Sequence, residues 1–216
     1  MELQDELARV LPPEIPHRDR LIQVSSSHIA QIMAANEYMN LTRISDAREA
    51  AIKHIFDSVA PWEMFRNARR VLDAGTGAGF PGVPLSVVLP EARFTLAEST
   101  RKKAHFVESV VDTLELPNVK VAAERAEDLL SSCRPDVITA RAVAPLHRLV
   151  ELFGKALKNG TRLLLYKGPD VQTEIDELRG LRVVAEVVKR YELPDELGSR
   201  TLVRVAGQKR PDLRAS

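Results

Sequence analysis

The amino-acid sequence predicts an α/β protein: a mostly parallel seven-stranded sheet ended by an antiparallel hairpin, with a helical extension in front of it. Three observations carry this. From residue 69 onward, short β-branched runs alternate with helical periods. The apolar pair Val71-Leu72 leads through Asp73 into glycines at 75, 77, 79 and 82, which reads as a buried strand running into a turn that approaches a ligand. The last two candidate strands are joined only by Tyr191 to Ser199, too short for a helical crossover, so they must be antiparallel neighbours.

Taken in order, residues 1–62 form the extension. Pro12, Pro13 and Pro16 break its first segment. Leu21, Val24, His28 and Ile32 then share one helical face. Asp46, with Glu49 three residues on, has the spacing of a capping box, and Ala50, Ile52, Ile55, Phe56 and Val59 stripe the following helix until Pro61 ends it. The sheet domain spans 63–208, with strands expected at 70–74, 93–98, 118–123, 135–140, 161–167, 181–190 and 200–206. Helices are expected near 82–89, 100–114, 145–157 and 170–179. Residues 209–216 read as a basic polar tail.

Composition narrows the function classes. A length of 216 residues is enough for a sizeable core, and no apolar run approaches the ~18 residues of a membrane span. The polar start Met1-Glu2-Leu3-Gln4-Asp5 argues against a secretory signal, and the single cysteine, Cys133, agrees with a reducing cytoplasm. Net charge is only +1, yet basic residues cluster at Arg66, Arg69 and Arg70; at Arg101, Lys102 and Lys103; at Lys189 and Arg190; and at Lys209, Arg210 and Arg214. Any one cluster reads as solvated surface, whereas several together can hold phosphates.

The turn Gly77-x-Gly79-x-x-Gly82 satisfies the dinucleotide fingerprint as a bare pattern, which is a weak signal. Asp73, at the strand end, can reach a ligand or order the turn. Glu98 ends the next strand and should lie beside that turn, where a carboxylate accepts the hydroxyl protons of a ribose. This requirement is common to NAD and S-adenosylmethionine. By fold analogy, the mostly parallel sheet with a terminal hairpin favours a class I S-adenosylmethionine-dependent methyltransferase, a Rossmann-like architecture. In that fold the segment after the third strand closes over adenine, making Ala126 and Glu127 the candidate contacts. The fourth strand runs into Arg141-Ala142-Val143-Ala144-Pro145, without the Asn/Asp-Pro-Pro-aromatic turn of an exocyclic amine methylase. No cysteine stands there for covalent attack on a ring. Arg141 is a permanently charged planar fork suited to a carboxylate, a phosphate or a guanine edge.

Seven ordered stretches carry a more specific signal: Asn36 with Asn40-Leu41-Thr42; His54-Ile55-Phe56-Asp57-Ser58; Asp73 through Pro84; Glu98-Ser99 with Lys102 and Lys103; Arg125-Ala126-Glu127; Arg141 through Leu146; and Leu165-Tyr166-Lys167-Gly168. Together they resemble the RsmG family, also called glucose-inhibited division protein B, the small-subunit rRNA guanine-N7 methyltransferases, from about residue 36 onward. The chain departs from the family pattern at Ala35, where members commonly carry tryptophan. The resemblance implies methyl transfer from S-adenosylmethionine to N7 of one guanosine in 16S rRNA, within the small ribosomal subunit or its assembly intermediate. By position it implies cofactor contacts at Gly75, Phe80, Ala126, Glu127 and Arg141, to which the turn reading adds Asp73, Gly77 and Glu98. A cytoplasmic monomer is expected.

Guanine N7 carries an in-plane lone pair and no proton, so no general base is expected. Asn40, Arg141 and Lys167 are the candidates for orienting the target nucleotide, although Asn40 and Lys167 can equally serve as loop hydrogen-bonding groups. His54, Asp57 and Ser58 contain triad residue types but no Gly-x-Ser-x-Gly elbow, so they are expected to set the helical extension against the cofactor turn, with substrate contact as the alternative. The histidines show no ligand spacing, and no metal is expected. The competing functions are methylation of another RNA or a small molecule, and a binding protein of the same fold that has lost transfer.

Overall fold

The computed structural model describes residues 3–44 and 46–208, so the expected tail over 209–216 lies outside the described residues. The extension opens with α1 (Leu3–Val10) and, after the proline-rich break, α2 (Arg18–Met39). Leu21, Val24, His28 and Ile32 are all buried on α2, as the periodicity predicts. α2 stops at Asn40, which takes the left-handed conformation at φ 51°. Asparagine tolerates that region better than most residues.

Asp46 caps α3 (Ala47–Ala50), its Oδ1 accepting from the Glu49 N–H at 2.8 Å. The Glu49 carboxylate turns instead to Lys53 Nζ at 2.5 Å, so only half of the expected capping box forms. The chain then winds more loosely, as a π-helical stretch over Ala51–Phe56, where Asp57 N–H reaches back to Ile52 O. α4 (Asp57–Val59) and a 3-10 turn over Trp62–Phe65 complete the extension.

The sheet domain runs β1 (Arg70–Ala74), α5 (Gly82–Val88), β2 (Arg93–Ala97), α6 (Arg101–Thr113), β3 (Val119–Ala122), a 3-10 turn over Ala126–Leu129, α7 (Leu130–Cys133), β4 (Val137–Arg141), α8 (Leu146–Lys158), β5 (Arg162–Lys167), α9 (Gln172–Asp176), β6 (Val183–Glu192), a 3-10 turn over Pro194–Glu196 and β7 (Ser199–Gly207). The strand order is β3-β2-β1-β4-β5-β7-β6, with β7 antiparallel to both β5 and β6. The remaining neighbours are parallel. This is the predicted mostly parallel sheet with its terminal hairpin.

One element falls short of expectation. The helix expected over 170–179 is only Gln172–Asp176. It starts just past Gly168-Pro169, and the chain after it turns through Gly180 at φ 89°. These breakers leave room for little more than one turn.

Strand residues alternate between two cores. Val71, Phe94, Leu96, Val137 and Leu164 face a core shared with α1, α2, the π-helical stretch, α5 and α6. Leu72, Ile138, Ala140, Leu163, Leu165, Val203 and Val205 face a second core closed by α8. The extension therefore shares one core with the sheet. Among the described residues, no helix is long and apolar enough to cross a membrane.

Ile32 of α2 has no exposed surface. Ile32→Ala should cost ~2–5 kcal/mol while leaving a single urea transition, read by circular dichroism and by the fluorescence of Trp62. A separate, earlier transition of the extension would contradict a shared core.

Candidate active site

β1 and β2 end side by side, Ala74 opposite Ala97. The Gly75 and Thr76 N–H groups both donate to Ala97 O, which folds the glycine turn over the two strand ends. Gly75 sits at φ 69°, and a Cβ there would lie 2.9 Å from Val143. Asp73 has no exposed surface, and its Oδ2 accepts from Thr76 Oγ1 at 2.7 Å and from Gly82 N–H at 2.9 Å. Both ends of the turn are thus tied to β1. Of the two roles open to Asp73, it orders the turn. Burial raises its pKa to about 6, against the Thr76 and Gly82 hydrogen bonds and the Arg141 charge, which pull it down.

Glu98 lies where the strand register predicts. Its Oε2 accepts from Gly77 N–H at 3.2 Å, and its Oε1 from Thr100 N–H at 2.8 Å. Each carboxylate oxygen retains a lone pair for a further donor. Gly77, at φ 62°, faces open space: no atom lies within 4 Å of where a Cβ would stand. Ala126 packs into the same apolar cluster as Ala74 and Ala97. Half-buried Glu127 stands beside it, 3.9 Å from Arg125 Nη1.

The Phe80 ring is buried between two imidazoles. His28 from α2 stacks at 4.7 Å and His54 from the π-helical stretch at 4.6 Å, almost parallel to the ring. The Arg141 guanidinium stands 5.4 Å from the same ring's centroid. His28 Nε2 is 2.7 Å from Ala78 O inside the turn. His54 Nε2 is 3.0 Å from Thr42 Oγ1, and Thr42 is gripped by Asn36 through two hydrogen bonds. Burial pushes His28 down to about 4. Burial, reinforced by the charges of Arg141, His28 and Lys53, pushes His54 down to about 3. Both imidazoles are neutral at physiological pH.

Arg141, at the end of β4, donates to Lys53 O at 2.8 Å and lies 3.3 Å from Asp57 Oδ2. Asp57 is buried and also takes Tyr191 O–H at 2.8 Å, with Arg200 Nε 3.6 Å away. Tyr166 O–H donates to Ser58 O, and Ser58 Oγ–H to His54 O. Burial and the Asp57 charge hold both tyrosine hydroxyls well above their ordinary pKa, so they act as neutral donors. His54, Asp57 and Ser58 thus tie the extension to the turn at Phe80 and to β4, β5, β6 and β7, in line with the first of the two roles expected for them.

A cavity of about 390 Å³ opens beside Arg141, lined also by Lys53, His54, Asp57, Lys167 and Arg200. Lys167 Nζ is held there by Ala144 O at 2.9 Å and Glu174 Oε2 at 2.8 Å. The structure therefore brings Arg141 and Lys167 together and leaves Asn40 outside the lining, exposed at the end of α2. Reading by residue type missed His28 and Glu174. His28 had one signal: a polar side chain on an otherwise apolar helical face needs a buried partner. Glu174 had none, because its contact depends on how α9 returns over β5.

The open face at Gly77 beside the Glu98 carboxylate fits a ribose, and the sheet order is that of a class I S-adenosylmethionine-dependent methyltransferase. An O-methyltransferase, TomG from Streptomyces achromogenes, solved with its cofactor, matches over 96% of this chain and 96% of its own at TM-score 0.56 and 18% identity. The tRNA methyltransferase TrmK of B. subtilis matches over 73% of this chain and 68% of its own at TM-score 0.58 and 15% identity. At these identities the likeness is one of fold. The chain belongs to the GidB family, rRNA small subunit methyltransferase G, whose model matches residues 22–198. A curated relative from Solibacter usitatus, named ribosomal RNA small subunit methyltransferase G, is 55% identical over 209 residues, covering 95% of this chain and 100% of the relative.

The buried histidines set a pH dependence. Their pKa values are depressed in the folded state, so the unfolded chain binds more protons between about pH 3 and 6.5. Their contribution is complete above pH 6.5 and is lost as pH falls toward 4 for His28 and toward 3 for His54. Asp73, raised to about 6, works in the opposite direction: it favours the fold at low pH, and that contribution fades as pH rises through 6. Two imidazoles outweigh one carboxyl, so the melting temperature should fall on acidification from pH 7 to 4.5, and His28→Asn should flatten that slope. Identical slopes in wild type and variant would contradict a neutral buried His28.

Proposed function

We propose that this chain transfers a methyl group from S-adenosylmethionine to N7 of a specific guanosine in 16S rRNA, acting as a cytoplasmic monomer on the small ribosomal subunit or its assembly intermediate. Gly75, Gly77, Phe80, Glu98, Ala126, Glu127 and Arg141 form the donor site, with Asp73 holding the turn in shape. Glu98 binds the ribose hydroxyls, and the segment at Ala126 and Glu127 meets the adenine. Arg141 and Lys167 orient the target nucleotide or its phosphates, and Asn40 contacts the RNA from the end of α2.

The observation that supports this most, beyond family membership, is that among the described residues each titratable group around Arg141 is already engaged, and Asp73, raised to about 6, has no exposed surface. His54 is buried, neutral and engaged by Thr42. Asp57 is already surrounded by Tyr191, Arg141 and Arg200. Lys167 Nζ is held by Glu174 and by Ala144 O. Such a site can align but cannot readily deprotonate, which suits an acceptor whose nucleophile carries no proton. When bound, S-adenosylmethionine supplies an electrophilic methyl group on a sulfonium. The chain's task is to hold N7 in line with it and to exclude water. The product base is cationic, so Arg141 must stand to one side of the ring, consistent with its guanidinium being drawn back onto Lys53 O and Asp57.

Arg141→Ala should lower methylation of small subunits roughly 100-fold or more while the protein still melts cooperatively; near-normal turnover would overturn the role assigned to Arg141. Reverse-transcription mapping of N7-methylguanosine in 16S rRNA should show one modification missing from a strain that lacks this protein. An unchanged map would overturn the proposed acceptor and leave the fold untouched.

A further inference from the structure

The end of the sheet opposite the donor site carries a charge pattern that methyl transfer does not use. Arg70 begins β1 and Arg93 begins β2, and the two are register partners on neighbouring strands. Arg66 and Arg69, from the loop before β1, join them around an open hollow of about 750 Å³. Arg70 and Arg93 also line a second hollow of about 620 Å³, together with Lys120 and Arg134. Arg70 and Arg134 continue into a third of about 520 Å³, which Lys155 closes. The three hollows share walls and run as one strip along the amino ends of the strands.

Only Arg70 is neutralised within this strip, by Asp136 at 3.0 Å. Arg66, Arg69, Arg93, Lys120, Arg134 and Lys155 are exposed or half-exposed and form no ion pair among the described residues, and Glu91 is the one unpaired carboxylate in the hollows' linings. In a chain with a net charge of +1, this is a concentration of one sign. The unpaired cations among them repel one another, and no ion pair among the described residues offsets that repulsion. A polyanion laid along the strip removes that repulsion and releases counterions.

We propose that this strip is a second RNA-contacting surface, which grips the phosphate backbone of the substrate rRNA at the far end of the sheet from the methyl-transfer site. The proposal rests on the rRNA acceptor read above. The hollows are open, and their cations sit at the surface rather than enclosed around a point, which suits an extended backbone better than a small anion. β1 has five residues, so the strip lies roughly 17 Å from the glycine turn. The protein would therefore bridge two RNA segments of a folded particle, one at each end of its sheet.

The test is binding of the whole protein to a 16S rRNA transcript, measured by fluorescence anisotropy over a range of salt concentrations, for wild type and for R66E/R69E/R93E. The variant should bind at least about tenfold more weakly, with the slope of log K against log salt reduced by about two and with unchanged affinity for S-adenosylmethionine by calorimetry. Equal RNA affinity and an equal salt slope in the two proteins would overturn the proposal, as would failure of the wild type to bind the transcript. If the triple charge reversal does not melt cooperatively, R66Q/R69Q carries the same test, with a slope reduction of about one expected and an unchanged slope overturning the surface. A wild type that binds RNA through these arginines but does not methylate it would overturn the function proposed above and leave this surface standing.

Discussion

Asp73 has no exposed surface, and its carboxylate takes Thr76 Oγ–H and Gly82 N–H from the two ends of the turn that follows it. Burying such a group is expensive unless hydrogen bonds are supplied, and here both reach Oδ2 from the segment it must shape, while Oδ1 is buried without a partner, in keeping with the raised pKa. The turn then does three things at once. It leaves Gly77 open beside Glu98, places Phe80 between two histidines, and starts α5 at Gly82. A Cβ at Gly82 would stand 2.2 Å from Leu96 and 2.7 Å from Asp73 Oδ2, so the carboxylate and the glycine specify each other.

The helical extension is joined to that turn through aromatic faces and buried polar bonds. His28 and His54 come from different helical segments and close on the same ring, with Arg141 approaching it from β4. The π-helical winding of Ala51–Phe56 belongs to this arrangement: Lys53 offers its carbonyl to Arg141 while His54 faces Phe80. Asp57 completes the link by joining Arg141 to Tyr191 of the terminal hairpin. Three distant parts of the chain thus meet at one guanidinium. Removing the guanidinium would leave the buried Asp57 carboxylate short of a partner, which is costly.

Much of this was legible in the residues. The strands themselves and the antiparallel pairing of the last two follow from β-branched runs and the short Tyr191–Ser199 connection, and the juxtaposition of Gly77 and Glu98 follows from the parallel pairing of β1 with β2. The Asp46 cap was visible at its spacing, because capping is local. The pattern could not reach contacts made by distant elements: the imidazoles on Phe80, the pairing of Lys167 with Glu174, and the extension of the Arg66, Arg69 and Arg70 cluster into a strip with Arg93, Lys120, Arg134 and Lys155. The truncated α9 and the Asn40 helix end mark the same limit on a smaller scale. In each, local backbone chemistry decides a boundary that periodicity locates only approximately.

Among the described residues, the titratable groups around Arg141 are engaged or, like Asp73, without exposed surface, and the acceptor atom we propose has no proton to give. Catalysis then reduces to alignment of donor and acceptor, assisted by fixed charges. The most direct test is the pH dependence of single-turnover methyl transfer to small subunits at saturating S-adenosylmethionine. The rate should be flat between about pH 6.5 and 8.5 because no general base titrates on the reaction path. A rate that climbs tenfold per pH unit before levelling off would reveal a required base and contradict this account.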